Sequence, residues 1–97
     1  MRTYKLEFIP AAMKEWERLG ATLKDQFKNK LIERVQNPHV PKDRLSGSKN
    51  LYKIKLRSSG YRLVYEVEDH IITVYVLSVG KRERSQVYKK ALERLAD

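Results

Sequence analysis

The chain contains no cysteine, which removes disulfides, thiol nucleophiles and cysteine-ligated zinc together and suits a reducing cytoplasm, the expected location. Long apolar runs are also missing. The most apolar stretch, Ile71 to Leu77, is interrupted by Thr73 and falls far short of the roughly 20 residues a membrane-spanning helix needs, so a soluble protein is expected. Near the start, Lys5, Glu7 and Pro10 break the apolar stretch that a secretion signal requires. No nucleophile elbow, P-loop or glycine-rich dinucleotide turn occurs. The 2 histidines lie apart, His39 in a Pro-flanked loop and His70 in a turn beside Asp69, with no further spaced ligand cluster, so no metal site is expected. Chemistry by this chain falls to Lys, Arg and Tyr.

Acidic residues are few relative to basic ones, 12 against 21, which leaves a formal charge of +9 and a pI near 9.9. A chain this basic favours polyanionic partners: nucleic acid first, an acidic protein second, an anionic membrane third. At 97 residues there is room for one domain, 1–97, and none for a separate large cofactor domain. Apolar residues make up 41%, enough for a core and too many for global disorder. No repeat, low-complexity tract or linker interrupts the chain.

Residues 3 to 9 alternate Tyr4, Leu6 and Phe8 against Lys5 and Glu7, the period of a strand with one buried face, and Pro10 ends it. Pro10 also suits the first position of a helix that carries Ala12, Met13, Trp16 and Leu19, with Gly20 as its C-cap. Thr22 with Asp25 resembles a capping box opening a second helix, in which Leu23, Phe27, Leu31 and Val35 recur every four residues until Asn37-Pro38. Residues 37–49 read as an ordered surface connection. Three strands follow, Leu51 to Arg57, Tyr61 to Glu68 and Ile71 to Ser78, joined by the hairpins Ser58-Ser59-Gly60 and Asp69-His70. Val87, Tyr88, Ala91, Leu92 and Leu95 give a terminal amphipathic helix. The expected fold is α+β: a four-stranded, mainly antiparallel sheet, made of one N-terminal strand and a three-stranded meander, with an N-terminal helical hairpin and a C-terminal helix.

The charge is concentrated. Residues 37–62 hold seven basic side chains and one acidic one, whereas residues 63–97 hold six of each. Within the basic stretch Lys53, Lys55 and Arg57 alternate with Ile54 and Leu56, so the three cations share one strand face. A solvated face is the plain alternative. In the next strand Leu63, Tyr65 and Val67 face the core and leave Arg62, Val64 and Glu66 opposite. A two-residue turn at Ser59-Gly60 sets Leu63 against Leu56 and Arg62 against Arg57, gathering Lys53, Lys55, Arg57 and Arg62 on one surface able to hold a phosphodiester. Lys81, Arg82 and Arg84 stand just after a strand end and before a helix, where the helix dipole disfavours cations. Tyr88 reads either as a core aromatic or as a hydroxyl offered to a site.

The segments LYKIKLRSSGYRLVYEV and VLSVGKRERSQVY, with KEWERLG in the first helix, resemble the RelE family of bacterial type II toxins, which are ribosome-dependent mRNA interferases. The resemblance covers nearly the whole chain. It implies a small α+β domain that cleaves mRNA in the A site of the 30S ribosomal subunit, in contact with mRNA and rRNA, by attack of the substrate's 2′-hydroxyl on the adjacent phosphate. No metal or cofactor is implied. The family's functional positions match at Lys53, Lys55, Arg62, Arg82 and Tyr88: the first three would hold phosphate oxygens, Arg82 would attend the leaving 5′-oxygen and Tyr88 would orient or deprotonate the 2′-hydroxyl, with Lys55 a competitor for the base. Arg57, Lys81, Arg84 and Arg44 are further phosphate-binding candidates. Before the glycine of the 37–49 loop, Ser46 stands where the family carries a basic residue. A RelB-like antitoxin is the implied partner, with operator DNA reached only through it and no membrane. Two other readings are a toxin of the same fold that poisons DNA gyrase without cleavage, and a nonspecific RNA-binding module.

Overall fold

The computed structural model describes residues 3–83 and 86–95, so Arg84 lies outside the described residues. Its elements are β1 (Lys5–Phe8), α1 (Pro10–Glu17), α2 (Ala21–Gln36), β2 (Leu51–Leu56), β3 (Tyr61–Glu68), β4 (Thr73–Lys81) and α3 (Gln86–Leu95). The sheet order is β1-β4-β3-β2. β2, β3 and β4 form the antiparallel meander, whereas β1 runs parallel to β4 at one edge, which makes the sheet mixed. None of the described helices is long and apolar enough to cross a membrane.

Both sheet faces are covered, by different helices. Alternation sends Ile54, Leu56, Leu63, Tyr65 and Val67 to one face, where they pack with Ala12, Leu19, Phe27 and Leu31 of the α1–α2 hairpin. Trp16 bridges this layer, 5.2 Å from the Phe8 ring and 6.2 Å from Phe27. On the other face α3 covers Leu51, Val64 and Leu77 with Val87 and Ala91. Val64, placed by the sequence on the face opposite Leu63, Tyr65 and Val67, is therefore also fully buried. The edge of β4 extends past the end of β1, and Glu15 and Arg94 close it: Val79 N–H donates to Glu15 Oε1 at 3.0 Å and Arg94 donates to the Leu77 carbonyl at 2.7 Å. The same two side chains form an ion pair at 2.9 Å, tying α3 to α1. Burial raises the Glu15 carboxyl, but hydrogen bonds from Arg94 and Val79 and the charges of Arg94 and Lys90 outweigh it and hold Glu15 below its ordinary value.

Several local expectations need correction. α1 closes on Arg18, and Gly20, expected as its C-cap, is instead the extended N-cap of α2. Thr22 and Asp25 fall inside the first turns of α2 without a capping bond. Leu19 explains the shift, because burying it between the helices ends α1 early. Of the alternating residues at the start of the chain, Leu6 is 38% exposed, while Tyr4, just before β1, and Phe8 pack on the core. The β3–β4 connection uses Asp69–Ile71 as a 3-10 turn and then Ile72 at φ 50°, so β4 starts at Thr73 and runs on to Lys81. A β-branched residue in left-handed backbone carries no sequence signal.

Candidate nucleic-acid interface

Register assembles the site. Leu56 pairs with Tyr61, Lys55 with Arg62 and Lys53 with Val64, two residues displaced from the pairing expected from a two-residue turn. The turn takes four residues, 57–60, closed by Gly60 N–H donating to the Leu56 carbonyl at 2.9 Å with Gly60 at φ 77°. An even displacement keeps every side chain on its face but moves Arg62 beside Lys55 and leaves Arg57 in the turn.

β4 contributes through a bulge. Tyr65 pairs with Val76 and Val64 with Ser78, so Leu77 is an extra residue. Leu77 and Ser78 both turn toward α3: Leu77 packs on Val87, and the Ser78 hydroxyl donates to the Val87 carbonyl at 2.6 Å. Beyond the bulge the alternation is inverted. Gly80 pairs with Arg62 and Lys81 with Tyr61, and Arg82 N–H continues the ladder to the Gly60 carbonyl at 2.9 Å. Paired residues share a face, so Lys55, Arg62 and Gly80 lie together, with Arg82 following at the strand end. Gly80 also lines a recess of about 330 Å³ with Gln86, Val87 and Lys90 of α3 and the carboxylates Glu15 and Glu83.

Lys53 borders this row with its ammonium 5.9 Å from the Tyr88 ring centroid. Tyr88 is half-buried against the cluster of Leu51 and Val64, with its ring at the margin of the cations. Lys53, Lys55, Arg62 and Tyr88 are brought together, with Arg82 at the strand end. Lys81 is not, since its ammonium lies 6.0 Å from the Tyr61 ring centroid on the other face. Arg44 forms a β-bridge to Tyr52, which also belongs to that other face. Arg57 lines an open groove of about 980 Å³ with Lys30, Lys42 and Lys55 along the β2 edge. Among the described residues, no acidic side chain pairs with Lys53, Lys55, Arg62 or Arg82. The groove beside Lys55 and Arg57 also carries Glu33 and Asp43, neither of which forms an ion pair with these cations.

Sequence reasoning missed two supports. Arg34 of α2 donates to the Lys53 carbonyl at 3.2 Å, to Tyr65 Oη at 2.8 Å and to Asp43 at 2.6 Å, fixing the outer edge of β2. Burial pushes the Tyr65 phenol up to about 12, against the lowering effect of Arg34. His39, expected to serve only turn chemistry, joins Asp69 at 2.8 Å to Tyr52 at 2.9 Å. Hydrogen bonds with Tyr4 and His39 hold Asp69 below its ordinary value.

At the far end of the α3 face, burial and the hydrogen-bonded neighbour Glu68 raise Glu66 to about 7. A folded value above the unfolded one means that the stability contribution is complete below pH 4.5 and is lost as pH rises through 7. Glu66→Gln is therefore expected to raise Tm at pH 8 by roughly 4–8 °C, equivalent to about 1 kcal/mol after solvent screening, and to have no effect near pH 4.5. Equal Tm differences at both pH values in thermal melts would contradict this assignment.

A family model described as the ParE toxin of type II toxin-antitoxin systems, parDE, matches residues 6–86. The mRNA interferase toxin RelE of Escherichia coli K12 is 52% identical over 92 residues, which span 95% of this chain and 97% of that protein. A doubly arginine-to-alanine-substituted E. coli toxin RelE in its free state has a TM-score of 0.90 at 49% identity, covering 97% of this chain and 99% of that one. The toxin in the intact E. coli RelBE toxin-antitoxin complex gives 0.80 at 52% identity, over 84% and 99% of the two chains.

Proposed function

The chain belongs to the ParE toxin family of type II toxin-antitoxin systems, within the RelE/ParE superfamily, and from that premise we propose that it is a ribosome-dependent endoribonuclease that cleaves mRNA in the A site. The family description names a class of toxin rather than a target. The observation that carries the nuclease reading is the row of unpaired cations Lys53, Lys55, Arg62 and Arg82 bordered by Tyr88, together with 52% identity to an mRNA interferase. A toxin acting by binding alone has no need of that set.

In this reading the substrate's O2′ forms a bond to the adjacent phosphorus while the bond from phosphorus to O5′ breaks. Negative charge grows on the phosphoryl oxygens, and Lys53, Lys55 and Arg62 oppose it; Arg82 stabilises the departing O5′. Tyr88 orients the 2′-hydroxyl, whose proton passes to a base that must be in its deprotonated form, the Tyr88 phenolate or the Lys55 amine. In the Lys55 case Lys53 and Arg62 carry the charge opposition, and in both the departing O5′ takes up a proton from water. Ammonium, guanidinium and phenol groups are poor metal ligands, and the cations themselves supply charge compensation. Arg57 extends the phosphate track along the β2 edge.

The cationic row lies on an exposed strand face, with the recess beside Gly80 the concavity at its end, an arrangement that leaves mRNA positioning to the ribosome in this reading. A cognate antitoxin is the second partner, supported by the solved complex of the similar E. coli toxin. An acidic amphipathic segment suits the +9 chain and the exposed Leu92 and Leu95 of α3. Operator DNA is reached through that partner.

Mapping mRNA 5′ ends after incubation with programmed ribosomes tests the proposal. Cuts within the A-site codon are expected, with free RNA cut poorly at equal protein concentration. About five phosphate contacts give a log–log salt slope of about −3 to −4 for binding. Ribosome binding with intact mRNA would favour a noncatalytic toxin instead.

A further inference from the structure

On the face that gathers the cations, one central position carries nothing. Gly80 is flanked across the ladder by Arg62, two residues along β4 by Arg82, and on its other side by Ser78, which α3 caps. Strand geometry puts Arg62 about 5.5 Å and Arg82 about 6.7 Å from it, Cα to Cα. A Cβ built on Gly80 meets no heavy atom within 4 Å, and its φ lies outside the left-handed region. Among the described residues, neither backbone strain nor packing requires glycine here.

Arg62 supplies a second, independent sign. Its Nε is buried without a hydrogen-bond partner among the described residues, and its Nη1 turns back to the Tyr61 carbonyl at 3.0 Å. A guanidinium held in this way has unused donors one strand away from the bare position.

We infer that Gly80 is the contact floor of the site, where the sugar–phosphate backbone of RNA lies directly on β4 so that its phosphate reaches Arg62 and Arg82 together. Gly80 is a positioning residue, and its contribution is the absence of a side chain. This inference rests on the RNA-cleaving reading of the same face. A methyl group at this position lifts the phosphodiester by more than 1 Å, a misplacement of the size that costs roughly 100-fold in rate.

The test compares Gly80→Ala and Gly80→Val with Gly20→Ala, whose added methyl also meets nothing within 4 Å but sits at the start of α2. Three measurements are made: thermal unfolding, single-turnover cleavage on programmed ribosomes, and binding of a 2′-deoxy-substituted trinucleotide followed by the backbone amide shifts of Lys55 and Arg62. Tm should stay level or rise in the Gly80 variants, since valine favours a strand over glycine. Cleavage should fall roughly 10- to 100-fold for alanine and further for valine, trinucleotide affinity should fall in the same order, and Gly20→Ala should match wild type in cleavage and binding, with a Tm lowered by the poorer helix cap. Wild-type cleavage and trinucleotide binding in a folded Gly80→Val protein would overturn the floor while leaving the proposed function intact. A wild type that leaves ribosomal mRNA uncut yet binds the trinucleotide in a Gly80-dependent way would overturn the proposed function and keep the floor. If valine prevents folding, the alanine variant decides by the same criteria; a wild type with neither cleavage nor trinucleotide shifts overturns both.

Discussion

Replacing Arg82 with alanine is expected to lower single-turnover cleavage of ribosome-bound mRNA by roughly 30- to 1000-fold while ribosome binding changes far less. The figure corresponds to about 2 to 4 kcal/mol, the usual loss when one donor aimed at developing charge is removed. Arg82 is tied by its backbone to Gly60 at 2.9 Å, so the substitution leaves the ladder intact and deletes only an exposed side chain. Tyr88→Phe should lower cleavage comparably, since it keeps the ring that packs on Leu51 and Val64 and lies beside Lys53. Arg57→Ala should do the reverse, because Arg57 stands in the turn and serves binding. An Arg82→Ala protein with wild-type single-turnover rates and weakened affinity would make Arg82 a phosphate anchor. Unfolding of Tyr88→Phe would remove the phenol from the chemistry.

Asp43→Ala is expected to cost about 2 to 3 kcal/mol of stability, or roughly 10–20 °C in Tm. Asp43 and Arg34 approach to 2.6 Å with side chains each only 13% exposed, and removing one partner leaves a shielded guanidinium without its counter-charge. The estimate sits below the full cost of breaking a buried pair, because Arg34 retains Tyr65 Oη and the Lys53 carbonyl as acceptors. The loss reaches the site as well, since Arg34 holds the backbone of Lys53. Denaturant melts together with cleavage assays check this: a Tm within 2 °C of wild type would mean the pair contributes nothing net, as many exposed pairs do.

Much of this protein was legible in its sequence because side-chain period and local geometry are the same quantity. Alternation in Leu51 to Leu56 and Tyr61 to Glu68 determines which residues share a face whatever lies around them, and so Lys53, Lys55 and Arg62 come together even though the pairing is two residues from that expected. The four-residue spacing of Leu23, Phe27 and Leu31 likewise determines the buried side of α2. Other features depend on contacts between distant elements. Gly20 serves α2 rather than α1 because Leu19 is buried, and Val64 is buried because α3 packs on the face that strand alternation marks as polar.

The bulge at Leu77 has the largest consequence. By simple alternation from Tyr75 and Leu77, the next residues on the α3 face are Val79 and Lys81; one extra residue inverts the order, so Gly80 and Arg82 join the cations while Lys81 turns to Tyr61. No residue near position 77 announces the bulge. It is sustained from outside the strand, by Leu77 filling the space under α3, by Ser78 bonding the Val87 carbonyl, and by Glu15 and Arg94 satisfying the backbone of Val79 and Leu77 at the open edge. The sequence alone determined the chemistry available and the faces of β2 and β3, since both follow from local period; tertiary packing decided which cation of the 81–82 pair lies with the others, because the parity of β4 is set by Glu15, 64 residues away, and by the packing of α3.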